Sequence, residues 1–226
     1  MASASPATSG SPSLLKPPPK HPFRTKPQPG GTWFRVHRFD PVTGNYASDA
    51  LNQTTHGDAR FSPLIDAATR NVIPTIYAAA TPRGAIAEIV LHDVPTPSTG
   101  HLHDWEQDKA STLHLSAVEL GTLELVNLTA TGLRAAGLMV ANLFGTDAPD
   151  YPRTREWASH IWQHVSKAQG LLWMSVRDNT CPVVMLFGDR LPKGAVKDAG
   201  NSLPIAHYEA EMLQLLDELG CGLAVS

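Results

Sequence analysis

The stretch Val72-Ile73-Pro74-Thr75-Ile76-Tyr77-Ala78-Ala79-Ala80-Thr81-Pro82-Arg83-Gly84-Ala85-Ile86-Ala87-Glu88-Ile89-Val90-Leu91 changes character midway. Its first half, Val72 to Ala79, is β-branched and aromatic and reads as a strand. Thr81 then offers an N-cap side chain, and Pro82 takes the first helical position, where a missing N–H costs nothing. An apolar helix follows through Leu91 and ends before Pro95. Glu88 is the odd residue, because a carboxylate on a helix that is apolar nearly all round is costly unless it is paired or used. A buried ion pair or a helix edge accounts for it as readily as a chemical role.

Working outward, Trp33-Phe34-Arg35-Val36-His37-Arg38 after Gly30 and Gly31 reads as an earlier strand, with Arg35 and His37 on one face. A half-exposed strand face is the plain account of Arg35. Downstream, 92–109 is rich in Pro, His and Asp and reads as a loop. Strands follow at 112–118 and 122–128, then a short helix at 131–139. Trp157, Ile161, Val165 and Ala168 form one apolar stripe, which predicts a helix over 154–168 with Gly170 as its stop. Leu171 to Val176 and Val183 to Phe187 read as buried strands, and Glu209 to Leu219 as a closing amphipathic helix stopped by Gly220. Helices fall irregularly among the strands, which argues α+β rather than a regular alternating fold.

The chain has 226 residues, enough for one well-buried domain with a tail. Residues 1–30 carry eight prolines among Ser, Gly and Lys and no acidic residue, so they read as a disordered or extended arm. Its cations Lys16, Lys20, Arg24 and Lys26 dock a partner, cover a site or simply stay solvated. The folded domain is expected over 31–226. A net charge of -3 gives no reason to expect nucleic acid. With only Cys181 and Cys221 there is no disulfide framework and no zinc ligand set, which suits the cytoplasm. No apolar run approaches a membrane span, and no secretory leader is recognisable.

Four pieces in order carry a resemblance: Phe34-Arg35-Val36; Gly57-Asp58-Ala59-Arg60-Phe61; Ile76-Tyr77-Ala78 leading into Ala85-Ile86-Ala87-Glu88; and Gly170-Leu171-Leu172-Trp173-Met174-Ser175-Val176-Arg177. Over roughly 33–190 the chain resembles the RES family, named for its Arg, Glu and Ser residues. The resemblance implies an ADP-ribosyltransferase-like fold with a mixed or antiparallel β core flanked by helices. It also implies a toxin of a toxin-antitoxin pair that consumes NAD by hydrolysis or phosphorolysis, or transfers ADP-ribose to a protein. By position, Arg35, Glu88 and Ser175 are the implied catalytic set, and Arg60 and Tyr77 join Arg35 and Ser175 in binding NAD. The family more often has Gly-x-Arg-Trp where Ala59 and Phe61 flank Arg60, which ranks Arg60 below Arg35.

These residue types suit the chemistry. Breaking the nicotinamide-ribose bond leaves an oxocarbenium ion, and the neutral leaving group needs no strong acid. A carboxylate beside the ribose stabilises the cation, the role expected of Glu88. Guanidinium groups fork onto pyrophosphate or ribose oxygens, the role expected of Arg35 and Arg60, with Arg177 adding a phosphate contact. Tyr77 can stack on nicotinamide or bond its amide, and Ser175 can orient Glu88 or a ribose hydroxyl. NAD is thus a substrate, and no resident cofactor or metal is expected. His160 and His164 have i, i+4 spacing but lack the metalloprotease Glu between them, and His101, His103 and Asp104 read as surface loop. The expected partners are NAD, an antitoxin protein, and phosphate or a host protein as acceptor. The competing functions are an NAD glycohydrolase or phosphorylase, a mono-ADP-ribosyltransferase, and a catalytically dead interaction domain.

Overall fold

The computed structural model describes residues 16–17, 23–39, 42, 47–92, 94, 100–145 and 148–224. In chain order the elements are β1 (Thr25–Gln28), β2 (Gly31–Arg38), β3 (Leu64–Ile65), β4 (Val72–Ile73), β5 (Thr75–Ala79), α1 (Pro82–Ile89), β6 (Leu102–His103), α2 (Trp105–Ala110), β7 (Leu113–Leu120) and β8 (Leu123–Asn127). They continue with α3 (Ala130–Ala135), α4 (Ala141–Phe144), α5 (Tyr151–His164), β9 (Gly170–Met174), β10 (Pro182–Phe187), β11 (Val196–Asp198), β12 (Leu203–Pro204), α6 (Glu209–Leu219) and β13 (Gly222–Leu223).

One sheet runs β1-β8-β9-β10-β5-β2-β7-β11, with β12 also paired to β7. Its neighbours are antiparallel apart from β8 and β9. The fold is therefore α+β, a mostly antiparallel sheet flanked by helices, as the irregular spacing of helices predicts. Strand alternation divides the core between two faces. On one, Val36, Trp173, Val183 and Met185 pack against Ile86 of α1, Trp157 and Ile161 of α5 and Leu215 of α6. On the other, Trp33, Ile76, Val118, Val184 and Leu186 form a smaller cluster. Full burial of such a side chain stabilises by about 1.5–3 kcal/mol.

The junction quoted above folds as read. Thr81 caps α1 by accepting the Gly84 N–H at 3.0 Å. A Cβ on Gly84 would stand 2.0 Å from Cys181 Sγ, so only glycine lets α1 seat this closely on the start of β10. The single strand expected over 72–79 is instead two, because Pro74 has no N–H to offer a ladder.

Other expectations are corrected. The arm predicted over 1–30 overlaps the fold: Phe23 is buried edge-on against Trp157, and β1 pairs with β8. β1 is an edge strand, the one place in a sheet where Pro27 is tolerated. Lys20 and residues 1–15 of that arm lie outside the described residues. The loop expected over 92–109 contains β6 and α2, and α4 follows the predicted helix at 131–139, which itself ends at Ala135. α5 begins at Tyr151, with Pro152 in its first turn, and stops at His164 rather than Ala168. Arg190 Nη1 donates to the carbonyls of Val165 at 2.9 Å and Ala168 at 3.0 Å, and this replaces further helical turns. Among the described residues no helix is long and apolar enough to cross a membrane.

Candidate active site

A cavity of about 810 Å³ opens on the α1 side of the sheet, between the end of β2, the second half of α1, the 57–60 loop, the β6–α2 segment and the turn after β9. That volume suits a small-molecule ligand, for which about 300–1,000 Å³ is usual. Glu88, Arg60, Tyr77 and Arg177 all line it. Its charges are mixed: Arg38, Arg60 and Arg177 against Asp58, Glu88, Asp104 and Asp108.

Glu88 projects from α1 toward the turn after β9, where the Val176 N–H donates to its Oε1 at 2.8 Å. One oxygen is thereby fixed by backbone on a rigid helix. The turn has its own anchor in Ser175, whose buried Oγ accepts the N–H groups of Arg177 at 3.3 Å and Asp178 at 2.9 Å. Ser175 does not line the cavity. It shapes the turn that presents Val176 to Glu88, so its link to Glu88 runs through backbone.

Arg60 is buried, with its guanidinium 5.0 Å from the Tyr151 ring and 5.7 Å from the Phe144 ring. Burial lowers its pKa from the usual arginine value, while Tyr151 and Glu88 act in the opposite sense. Glu88, Arg177, Tyr77 and Tyr151 are thus all near enough to act on one cation. α5 holds the loop that carries Arg60: Thr154 Oγ1 donates to the Arg60 carbonyl, and Arg155 Nη1 donates to Asp58 Oδ1 at 2.6 Å. Tyr77 Oη accepts the Phe61 N–H at 3.1 Å, and its ring stands edge-on to Trp173. Burial raises the phenol above its ordinary range, so Tyr77 remains protonated. Arg177 Nε and Nη2 donate to the carbonyls of Leu91 at 3.4 Å and His92 at 3.1 Å, which fixes its side chain along the end of α1.

Arg35 lies elsewhere. It alternates onto the face of Trp33, away from Val36, and is not part of the cavity wall. Its Nη1 donates to the carbonyls of Ser48 and Ala50, each at 2.8 Å, and clamps that segment to the sheet. Burial lowers its pKa to about 10, with Asp49 opposing. On the same face His37 Nε2 lies 2.7 Å from Ser116 Oγ, and its pKa is lowered first by burial and then by Arg35. The structure thus brings Glu88, Arg60, Tyr77 and Arg177 together, sets Ser175 behind them and does not bring Arg35 to them.

Three parts of the wall escaped the sequence reading. Arg38, three residues beyond Arg35, is exposed and lines the cavity. Tyr151 supplies the aromatic face over Arg60, and Tyr-Pro at the head of a helix was the available signal. His103 and Asp108, on the segment read as surface loop, line the cavity as a pair 2.6 Å apart. His160 and His164 stack with ring centroids 4.2 Å apart outside the cavity. Among the described residues no cluster of three or more His, Cys, Asp or Glu could hold a metal ion. A fixed carboxylate facing two guanidinium groups and a protonated phenol can stabilise a developing sugar cation while holding an anionic ligand.

Comparison with known proteins bears on the fold and the family. One chain of the M. tuberculosis MbcT-MbcA toxin-antitoxin complex superposes with a TM-score of 0.55 at 16% identity, over 84% of this chain and 92% of that one. At that identity the likeness is one of fold. No curated protein matches the sequence. The family model of the RES domain matches residues 32–207, which hold every lining residue of the cavity and all strands of the sheet but β1 and the first residue of β2, and the chain belongs to the RES domain family.

Proposed function

We propose that the chain is the toxin of a toxin-antitoxin pair and that it cleaves the nicotinamide-ribose bond of NAD in the cytoplasm. The observation that carries the reading is Glu88, fixed by the Val176 N–H in a cavity that also holds Arg60 and Arg177. In this reading the carboxylate faces the ribose and stabilises the oxocarbenium ion as the C–N bond breaks. Arg60 and Arg177 hold the pyrophosphate, and Tyr77 contacts nicotinamide through its ring or its retained proton. NAD is consumed as substrate, and no step calls for a metal or resident cofactor. An antitoxin protein as partner is supported by family membership and by the toxin-antitoxin complex that shares the fold.

The test separates release of ADP-ribose from its transfer to a protein. Incubated with NAD alone, the purified chain is expected to release nicotinamide and free ADP-ribose with no protein acceptor present. In a lysate with labelled NAD, the expected result is loss of bulk NAD without a labelled band. A discrete labelled band with bulk NAD barely changed would instead establish a mono-ADP-ribosyltransferase, and no NAD loss in either assay would overturn the reading.

A further inference from the structure

One segment of the cavity wall has no part in the roles above. The segment of β6, α2 and their flanking residues carries His101, His103, Asp104, Gln107 and Asp108 into the lining. His103 Nε2 lies 2.6 Å from Asp108 Oδ2, and the two side chains are only 12% and 20% exposed. Among the described residues no hydrogen bond engages His103 Nδ1.

The pair is built into the fold rather than draped over it. β6 pairs with β13, and the His103 carbonyl accepts the Ala224 N–H at 2.9 Å. Trp105 at the head of α2 is buried and donates through Nε1 to Glu209 of α6 at 3.2 Å. Asp104 caps α2 by accepting the Gln107 N–H at 2.9 Å, which sets the turn that brings Asp108 back onto His103. A carboxylate on one ring nitrogen fixes the tautomer with the proton facing the carboxylate. The other nitrogen then keeps its lone pair, and the carboxylate stabilises the imidazolium that forms when that nitrogen takes a proton.

We infer that His103, held by Asp108, is the general base that delivers water to the ribosyl cation, so that the acceptor of ADP-ribose is water. The inference rests on the NAD-cleaving reading and supplies the part of it that Glu88 does not, since one carboxylate stabilising a cation leaves the nucleophile unactivated. The C–N bond to nicotinamide breaks with its electron pair going to the pyridine nitrogen. The water oxygen forms a bond to the ribose anomeric carbon, and its proton passes to His103 Nδ1 and from there to solvent. The products are nicotinamide, ADP-ribose and one proton. Asp104 and Asp108 flank the base, so phosphate, a dianion above neutral pH, is repelled at this wall far more strongly than a small monoanion such as azide, and neutral water is not repelled.

The test uses the full chain, NAD and azide, an anionic nucleophile that needs no proton removed. His103→Ala is expected to slow nicotinamide release by about 100-fold to 10,000-fold. Sodium azide should restore most of that rate and yield azido-ADP-ribose, while barely changing the unaltered protein. Asp108→Asn should lose rate in the same direction and also respond to azide. Phosphate should neither accelerate the unaltered protein nor appear in product. If His103→Ala cleaves NAD at the normal rate, or loses rate that azide does not restore while its Tm is unchanged, the inference is overturned and NAD cleavage stands. Phosphate incorporation would overturn it likewise. An unaltered protein that releases no nicotinamide would overturn both.

Discussion

Two arginines that look alike in the sequence have opposite surroundings. Arg35 spends its guanidinium on the carbonyls of Ser48 and Ala50, whereas Arg60 lies over Tyr151 and shares a cavity with Glu88. The resemblance ranks Arg35 first because Ala59 and Phe61 flank Arg60 where the family more often has Gly-x-Arg-Trp; the face toward which the Arg35 side chain points is set by pairing with β7 and β5, which a short piece of sequence does not encode. Arg60→Lys keeps the charge but loses the fork and the ring contact, so the Kd for NAD should rise about 10-fold to 100-fold by calorimetry. Arg35→Lys should lower Tm through the two lost carbonyl bonds and change the Kd by less than about 3-fold, given that each charged hydrogen bond contributes about 1.5–3 kcal/mol to the fold. Equal losses of NAD affinity in both variants would contradict this division. Glu88 stood out for a better reason: its apolar neighbours on α1 make a carboxylate costly unless it is paired or used, wherever the sheet lies.

At the scale of elements, the site depends on a turn. Ser175 Oγ holds the N–H groups of Arg177 and Asp178, and the same turn is tied to α1 through Arg83, whose Nε lies 3.4 Å from Asp178 Oδ2. Ser175→Ala leaves the buried Asp178 N–H and the part-buried Arg177 N–H without their acceptor, which should cost about 1–3 kcal/mol of stability for the buried one and less for the other. The loosened turn should also lower kcat, because Val176 no longer fixes Glu88; a Ser175→Ala protein with normal Tm and kcat would show that the turn holds itself. α1 was legible to within two residues because capping chemistry is local. β6 and α2 were not, since two strand residues and a six-residue helix give no period to read, and their order comes from β13 and from Glu209, more than a hundred residues away in sequence. β1 was hidden by its proline, which marks a tail in most settings and an edge strand in this one.

For the whole molecule, the mostly antiparallel sheet buries one face under α1, α5 and α6, and the cavity forms where α1 ends and the β6–α2 segment closes over the tip of β2. That architecture explains how residues from position 36 to position 177 come to line a single space. It also places the carboxylate on a helix packed in the core, so that removing its charge should leave the fold untouched. The decisive measurement is therefore nicotinamide release from NAD by Glu88→Gln beside the unaltered chain, with Tm and NAD affinity recorded for both. The amide oxygen can still accept the Val176 N–H, so the account predicts unchanged Tm, near-normal NAD binding and a rate about 100-fold to 1,000-fold lower. A Glu88→Gln protein that binds NAD and releases nicotinamide at the normal rate would contradict it.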